Sequence, residues 1–291
     1  MSNFDNMYRY TSKKFIYSML ERMGKKPTKG LGQNFLIDSG VIEDIVEYAG
    51  LNEDIAVLEI GAGLGALTYA LIQNSAHTTS IEIDNKLWDY LEEEFGEWQN
   101  FTLVKGDVLR VDLKQICEDL LSKADKIYLV ANLPYHITTP IIMKFLEENL
   151  PIDKIIVMVQ KEVALRMSAE PCSKDYGALT VNLNTFADMR ILFDIDPSSF
   201  MPMPKVDSSV IEIAIKEEKP IADADRDFFL KLVKAAFHSR RKKLANSVNL
   251  AIGIPKEKVQ AGLASIGKDM EARAETLSPS EFIALARVLS C

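Results

Sequence analysis

The run Val57-Leu58-Glu59-Ile60-Gly61-Ala62-Gly63-Leu64-Gly65-Ala66-Leu67-Thr68 constrains the fold more than any other stretch of this 291-residue chain. An apolar run ends in glycines at alternate positions and continues into a helical pattern, which predicts strand, tight turn and helix. Glycines at such a turn let the backbone approach a ligand at the carboxyl end of the first strand, where open α/β sheets bind their ligands. The sequence on either side agrees: from residue 32 to about 160, short apolar runs at 57–60, 79–83, 101–104, 127–131 and 155–159 alternate with helical stretches. That rhythm predicts a mostly parallel sheet with helices on both faces. Two later extended runs, 189–193 and 208–215, read as an antiparallel pair closing the sheet edge.

Three parts are expected. Residues 1–31 form a basic arm with one amphipathic helix, its apolar face made by Phe15, Ile16, Met19, Leu20 and Met23 and its end marked by Gly24. Residues 32–217 form the sheet domain. Residues 218–291 form a smaller all-helical domain, with the boundary in Lys216-Glu217-Glu218-Lys219-Pro220. Beyond it, Phe228, Leu232, Ala235 and Ala236 recur at helical spacing, and Ser278-Pro279-Ser280-Glu281 is a capping-box start for a last helix ending near Leu289. No apolar run approaches the ~18 residues of a membrane span, and charges interrupt the N-terminal residues, so a cytoplasmic chain without membrane contact is expected. Cys117, Cys172, Cys291, His77, His136 and His238 are too scattered for a disulfide framework or a metal site.

The net charge of -8 argues against a polyanionic partner until its distribution is considered. Residues 1–31 carry seven Lys/Arg against two acids, and residues 226–243 carry seven against one. The body between them is strongly acidic. Contact with nucleic acid is therefore expected only at the basic segments, above all at Arg240, Arg241, Lys242 and Lys243.

The glycine loop leaves two ligands open. Gly61-x-Gly63-x-x-Ala66 fits the dinucleotide fingerprint with Glu82 placed 21 residues after Gly61, and it fits S-adenosylmethionine equally. Two acids tilt the choice. Glu82 ends the second strand, where it can accept from both ribose hydroxyls, and Asp107 follows the third, where it can accept from an adenine amino group. Val130-Ala131-Asn132-Leu133-Pro134-Tyr135 then leaves the fourth strand at the same edge. An exocyclic adenine nitrogen is a poor nucleophile, because its lone pair is delocalised into the ring. The Asn132 side-chain oxygen and the Leu133 carbonyl can accept its N–H groups and favour the pyramidal amine; Pro134 fixes the turn, and Tyr135 offers a ring for the base to stack on. This is stabilisation by placed dipoles without a dedicated general base.

On these residues the chain resembles a known family. Leu31-Gly-Gln-Asn-Phe-Leu-Ile-Asp38, the Glu59–Gly65 loop, Asn132-Leu-Pro-Tyr135, Gln160-Lys-Glu-Val163, Phe200-x-Pro-x-Pro-x-Val-Asp-Ser208 and Arg240-Arg-Lys242 are similar to the KsgA (RsmA) family of ribosomal RNA adenine dimethyltransferases. The resemblance implies a Rossmann-like class I methyltransferase sheet and S-adenosylmethionine as cofactor. It implies cofactor contacts at Asn34, Leu36, Gly61, Gly63, Glu82, Asp107 and Asn132, and Phe200 as a second aromatic wall facing Tyr135. It further implies dimethylation of two adjacent adenosines in a hairpin near the 3' end of 16S rRNA, within the assembling small subunit, by a monomer without metal. Three other readings compete. An Erm-type large-subunit enzyme is opposed by Leu133 and the Phe200–Ser208 run. A non-catalytic assembly factor has no need of the acids and the Asn132–Tyr135 motif, and an NAD-dependent oxidoreductase lacks a hydride-partner His or Tyr/Lys set beside the loop.

Overall fold

The computed structural model describes residues 7–24, 33–218 and 220–290. Lys25, Lys26, Lys29, Leu31 and Gly32, together with Lys219 of the expected linker, lie outside the described residues. The elements begin with helices α1 (Met7–Thr11) and α2 (Lys13–Arg22), strand β1 (Phe35–Leu36) and α3 (Ser39–Ala49). Strands and helices then alternate: β2 (Ile55–Ile60), α4 (Ala66–Asn74), β3 (His77–Glu82), α5 (Asn85–Phe95), β4 (Phe101–Lys105), α6 (Leu113–Leu121), β5 (Lys126–Asn132), α7 (Thr138–Glu147) and β6 (Lys154–Gln160). After α8 (Lys161–Met167) and α9 (Ala178–Phe186) come β7 (Ala187–Ile195), β8 (Phe200–Met201) and β9 (Ser208–Ile215). The chain closes with α10 (Asp223–Ala236), α11 (Leu244–Ile252), α12 (Lys256–Ser265) and α13 (Pro279–Ser290).

The main sheet has the strand order β4-β3-β2-β5-β6-β9-β7. Strands β2 to β6 pair in parallel, and β9 runs antiparallel to β6, with Val157 opposite Ile211. The expected closing strands are thus present: β9 lies beside β6, and β7 forms the edge. All six residues of β2 are buried, as befits a central strand covered on both faces. The chain moves outward from β2 to β4 and then returns to β5 on the other side of β2. This reversal is the switch point at which such sheets bind ligands. Aspartates set three helix starts, since Asp38, Asp84 and Asp112 accept from the backbone amides of Gly40, Lys86 and Gln115.

The late division of the chain falls at Ala214/Ile215, beside the expected boundary, but the second unit also takes in an earlier segment. One compact unit comprises Met1–Phe145, Asn149–Lys161 and Arg190–Ala214; the other comprises Leu146–Glu148, Glu162–Met189 and Ile215–Cys291. The segment around α8 and α9 belongs with the late helices because its apolar groups are buried among them. Phe186 packs edge-on against Phe229 at 5.8 Å, the Tyr176 hydroxyl donates to the Leu277 carbonyl at 2.8 Å, and Phe237 lies between Tyr176 and Phe282. The capping box is formed as read: Ser278 N donates to Glu281 Oε2 at 2.8 Å, and Glu281 N donates back to Ser278 Oγ at 3.3 Å.

The N-terminal arm also needs correction. Residues 7–24 form two helices, not one, and they are not an appendage: Met7, Tyr10, Ile16, Met19 and Leu20 are buried in the core of the first unit. The sequence reading caught the α2 face but gave Met7 and Tyr10 no role. No helix among the described residues is long and apolar enough to cross a membrane.

Candidate active site

A cleft of about 1040 Å³, counted out to its mouth, opens at the carboxyl ends of β2, β3 and β5 and the turn after β4. Asn34, Leu36, Gly61, Gly63, Glu82, Asp107 and Asn132–Tyr135 all line it, so most of the residues singled out by sequence converge on one place.

The loop from β2 to α4 needs its glycines. Gly61, Gly63 and Gly65 have φ of +81°, +58° and +87°, the left-handed region that side chains disfavour. A Cβ on Gly65 would also stand 2.5 Å from the Phe95 ring. The loop amides are already used: Gly61 N donates to the Ile81 carbonyl at 2.8 Å, Gly65 N to the Ala62 carbonyl at 2.9 Å and Gly63 N to Glu82 Oε2 at 2.9 Å. The described lining holds the carboxylates of Glu59, Glu82 and Asp107 and contains no Lys, Arg or His. A pyrophosphate requires donors and positive charge. This wall offers acceptors and negative charge, which matches a cationic nucleoside carrying hydroxyl and amino donors.

Glu82 is 4% exposed and is held by two amides, Gly63 N on one oxygen and Asp84 N on the other at 2.8 Å. A carboxylate has about four lone-pair sites, and these two contacts fix its direction. Asp107 braces its own turn by accepting from Leu109 N at 2.9 Å. Its second oxygen lies 3.5 Å from Nε of Arg110, whose side chain is largely exposed, and such a pair is weak enough to yield to a ligand. Glu59 is fully buried, and burial pushes its carboxyl up to about 7, with the Glu82 charge adding to the shift and hydrogen bonds from Ser80 and Thr68 opposing it.

Asn132 stands at the end of β5. Its side-chain nitrogen donates to the Asn34 carbonyl at 3.2 Å, which fixes the side-chain oxygen as the acceptor. Leu133 N donates to the Met158 carbonyl and Thr138 Oγ1 to the Pro134 carbonyl, so the turn is tied to β6 and α7. The Tyr135 hydroxyl pairs with Ser208 Oγ at 2.6 Å, and burial holds its pKa above the usual tyrosine value. Phe200 departs from expectation. It is 2% exposed, sits opposite Leu36 in the β1–β8 pair, packs in the core and does not line the cleft. The strand pairing that carries Leu36 to the cleft leaves Phe200 inside the core.

The basic run in the second unit is also less uniform than its sequence. The Arg240 guanidinium donates to the carbonyls of Ser173, Lys174 and Tyr176 and approaches Glu275, while Lys243 pairs with Glu271. Arg241 and Lys242 are exposed and make no such contact. Two of the four expected phosphate contacts are thus committed within the protein.

Sequence reasoning assigned no role to three lining residues. Glu59 braces Thr68 and Ser80; a lone acid inside an apolar strand was the available signal. Gln33 donates to Asp84, the cap of α5, at 2.7 Å. Tyr10 lines the cleft from α1, a long-range placement that no local pattern announces.

The family profile described as "Ribosomal RNA adenine dimethylase" matches residues 24–290. Ribosomal RNA small subunit methyltransferase A of Bacillus licheniformis is 41% identical over 273 residues, covering 92% of this chain and 93% of that protein. The protein of the same name from Alkaliphilus metalliredigens is 40% identical over 271 residues, covering 93% and 94%. Among solved structures, the 23S rRNA methyltransferase ErmE matches with a TM-score of 0.62 and 27% identity, covering 89% of this chain and all of that one. A dimethyladenosine transferase from Plasmodium falciparum, 24% identical, shares the fold with a TM-score of 0.69 over 86% and 95% of the two chains.

Proposed function

The chain belongs to the ribosomal RNA adenine dimethylase family, and from that premise we propose how its cleft performs the reaction and which RNA it modifies. It is an S-adenosylmethionine-dependent rRNA adenine dimethyltransferase. When bound, the cofactor supplies a methyl group on a positively charged sulfur. The acceptor-lined cleft without basic side chains fits such a cation.

Glu82 and Asp107 hold the ribose and the adenine of the cofactor; Asn34, Leu36, Gly61 and Gly63 shape the wall against it. Asn132 and the Leu133 carbonyl accept from the exocyclic amine of the target adenosine, and Tyr135 stacks on its base. The two acceptors would orient the nitrogen lone pair towards the methyl carbon and favour the charge that develops on nitrogen as the nitrogen–carbon bond forms and the carbon–sulfur bond breaks, the sulfur leaving as a neutral thioether and the acidified N–H passing its proton to water. The observation that carries this reading is the Asn132–Asn34 hydrogen bond, which commits the Asn132 nitrogen and leaves its oxygen as the acceptor. The methyltransferase unit and the late helices divide the work: the second unit binds RNA, with Arg241 and Lys242 as its free cations.

The substrate is the small ribosomal subunit or its precursor in the cytoplasm, at two adjacent adenosines in a hairpin near the 3' end of 16S rRNA. The curated relatives carry the small-subunit name. Primer extension on rRNA from cells lacking this chain tests the assignment. Loss of the stops at those adenosines is the expected result, and loss confined to large-subunit rRNA would overturn it.

A further inference from the structure

The cofactor contacts implied by the resemblance all lie at or after Asn34, and the family profile begins to match at residue 24. Helices α1 and α2 precede both, yet Tyr10 of α1 lines the cofactor cleft. Its ring stacks on Phe95 at 5.8 Å and lies tilted against Tyr69 at 5.2 Å, with Phe15 edge-on at 5.7 Å. Phe95 is the ring that occupies the space beside Gly65, so Tyr10, Phe95 and the glycine turn form one packed column. The neighbouring α5 residue Tyr90 supports the same loop by donating to the Leu64 carbonyl at 3.0 Å.

Polar contacts fix the ring. The Tyr10 hydroxyl donates to Glu94 Oε1 at 2.7 Å, and Arg9 donates to both oxygens of Glu94 at 2.8 and 3.0 Å while lying over the Tyr10 and Phe15 rings. Arg22 holds α2 to the same helix through Glu93 at 3.1 Å. Tyr10 is 4% exposed: its hydroxyl is committed to Glu94 and its ring is packed against Phe95, Tyr69 and Phe15, so it meets the cleft only with the small part of the side chain that lines it. Arg9 already lies over the ring, so what Tyr10 adds beside the acceptors is an apolar stretch of wall against which a ligand can pack.

We propose that α1 is part of the cofactor site: Tyr10 contacts bound S-adenosylmethionine and completes the cleft wall beside the glycine loop, with Glu94 and Arg9 as the positioning residues that hold it. The inference rests on the cofactor assignment above. It makes the N-terminal helices a determinant of cofactor affinity, and by reciprocity it makes the cofactor a determinant of how tightly those helices are held.

Calorimetric titration of the full chain with S-adenosylmethionine provides the test. Tyr10→Ala is expected to weaken binding about tenfold or more, Tyr10→Phe to stay within about threefold, and Glu94→Gln to fall between them. If alanine prevents folding, Tyr10→Leu keeps part of the bulk, removes the ring and is also expected to bind more weakly. Met19→Ala removes a buried α2 side chain that does not line the cleft. It should lower the melting temperature while leaving affinity within about twofold. Saturating cofactor should also slow tryptic cleavage after Lys13 and Lys14 in the unaltered chain, and much less so in Tyr10→Ala. Equal affinity of the Tyr10 variants and the unaltered chain, or equal weakening by Met19→Ala, would overturn the role of Tyr10. Failure of the unaltered chain to bind would instead overturn the cofactor assignment, and this inference with it.

Discussion

The cleft of the first unit and the basic run of the second were equally conspicuous in the sequence, and they fare differently in the structure. In the cleft, two glycines with positive φ, two acids at strand ends and the Asn132–Tyr135 turn come to one wall. At the basic run, the Arg240 guanidinium donates to three carbonyls and Lys243 pairs with Glu271, so Arg241 and Lys242 are the cations of the run that stand exposed without a partner. The difference teaches what a motif specifies. A residue at the carboxyl end of a parallel strand is placed by the backbone, and the sheet carries it to the switch point. A charged side chain at a helix end has several partners within reach, and which of them it takes depends on segments distant in sequence, here the turn at 173–176.

The largest effect is expected at Asn132. Asn132→Ala is expected to leave cofactor affinity within a few fold and to lower single-turnover methyl transfer by ~100-fold or more, as when one placed dipole is removed from a transition state. Near-normal rates with saturating substrate would contradict the acceptor role.

Next in size is a pH effect inside the cleft. Because burial raises the Glu59 carboxyl to about 7, the folded chain keeps a proton there that the unfolded chain has lost. Stability from this group is therefore present at low pH and is lost as pH rises from the ordinary carboxylate range through about 7, by on the order of 3 kcal/mol. Glu59→Gln should abolish that dependence, so unfolding free energies of the two chains should diverge between pH 5 and pH 8 in favour of glutamine. Parallel curves would place the ionised carboxylate at ease in its site.

Glu82→Ala should weaken S-adenosylmethionine binding roughly 10- to 150-fold, the worth of a charge-assisted hydrogen bond, as read by calorimetry. The smallest effects belong to the basic run, where the structure sharpens the comparison into two opposite outcomes. Arg241→Glu with Lys242→Glu is expected to flatten the salt dependence of small-subunit binding by roughly two units of slope and to leave the melting temperature unchanged. Arg240→Ala is expected to lower stability by about 0.5–1.5 kcal/mol, because its hydrogen bonds to the 173–176 turn lie at the surface, where water replaces them. If Arg241 and Lys242 leave the slope intact, the run is a solvated surface.

Much of the fold was legible because its signals are local. Alternating apolar runs gave β2 to β6, and Ser278 and Glu281 gave the start of α13 through contacts three residues apart. The grouping of α8 and α9 with the late helices is not visible in the sequence for the opposite reason. Lys216–Pro220 looks like a linker in composition, whereas Phe186 and Tyr176 join the late helices through contacts with Phe229 and Leu277 that no window in the sequence spans. Phe200 and Tyr10 are a matched pair of the same kind. The Phe200 motif promised a cleft wall and its strand pairing buried the ring, while Tyr10 carried no motif and reached the cleft through tertiary packing.

Transfer of methyl groups from this cleft to adenosines of small-subunit rRNA can be measured directly. Purified chain can be incubated with methyl-labelled S-adenosylmethionine and, separately, with small and large subunits from cells lacking the modification. The rRNA is then digested and its nucleosides are resolved. The expected result is labelled N6,N6-dimethyladenosine from the small subunit and none from the large subunit, with Asn132→Ala abolishing the signal; label in large-subunit adenosine, or in neither RNA, would contradict the account.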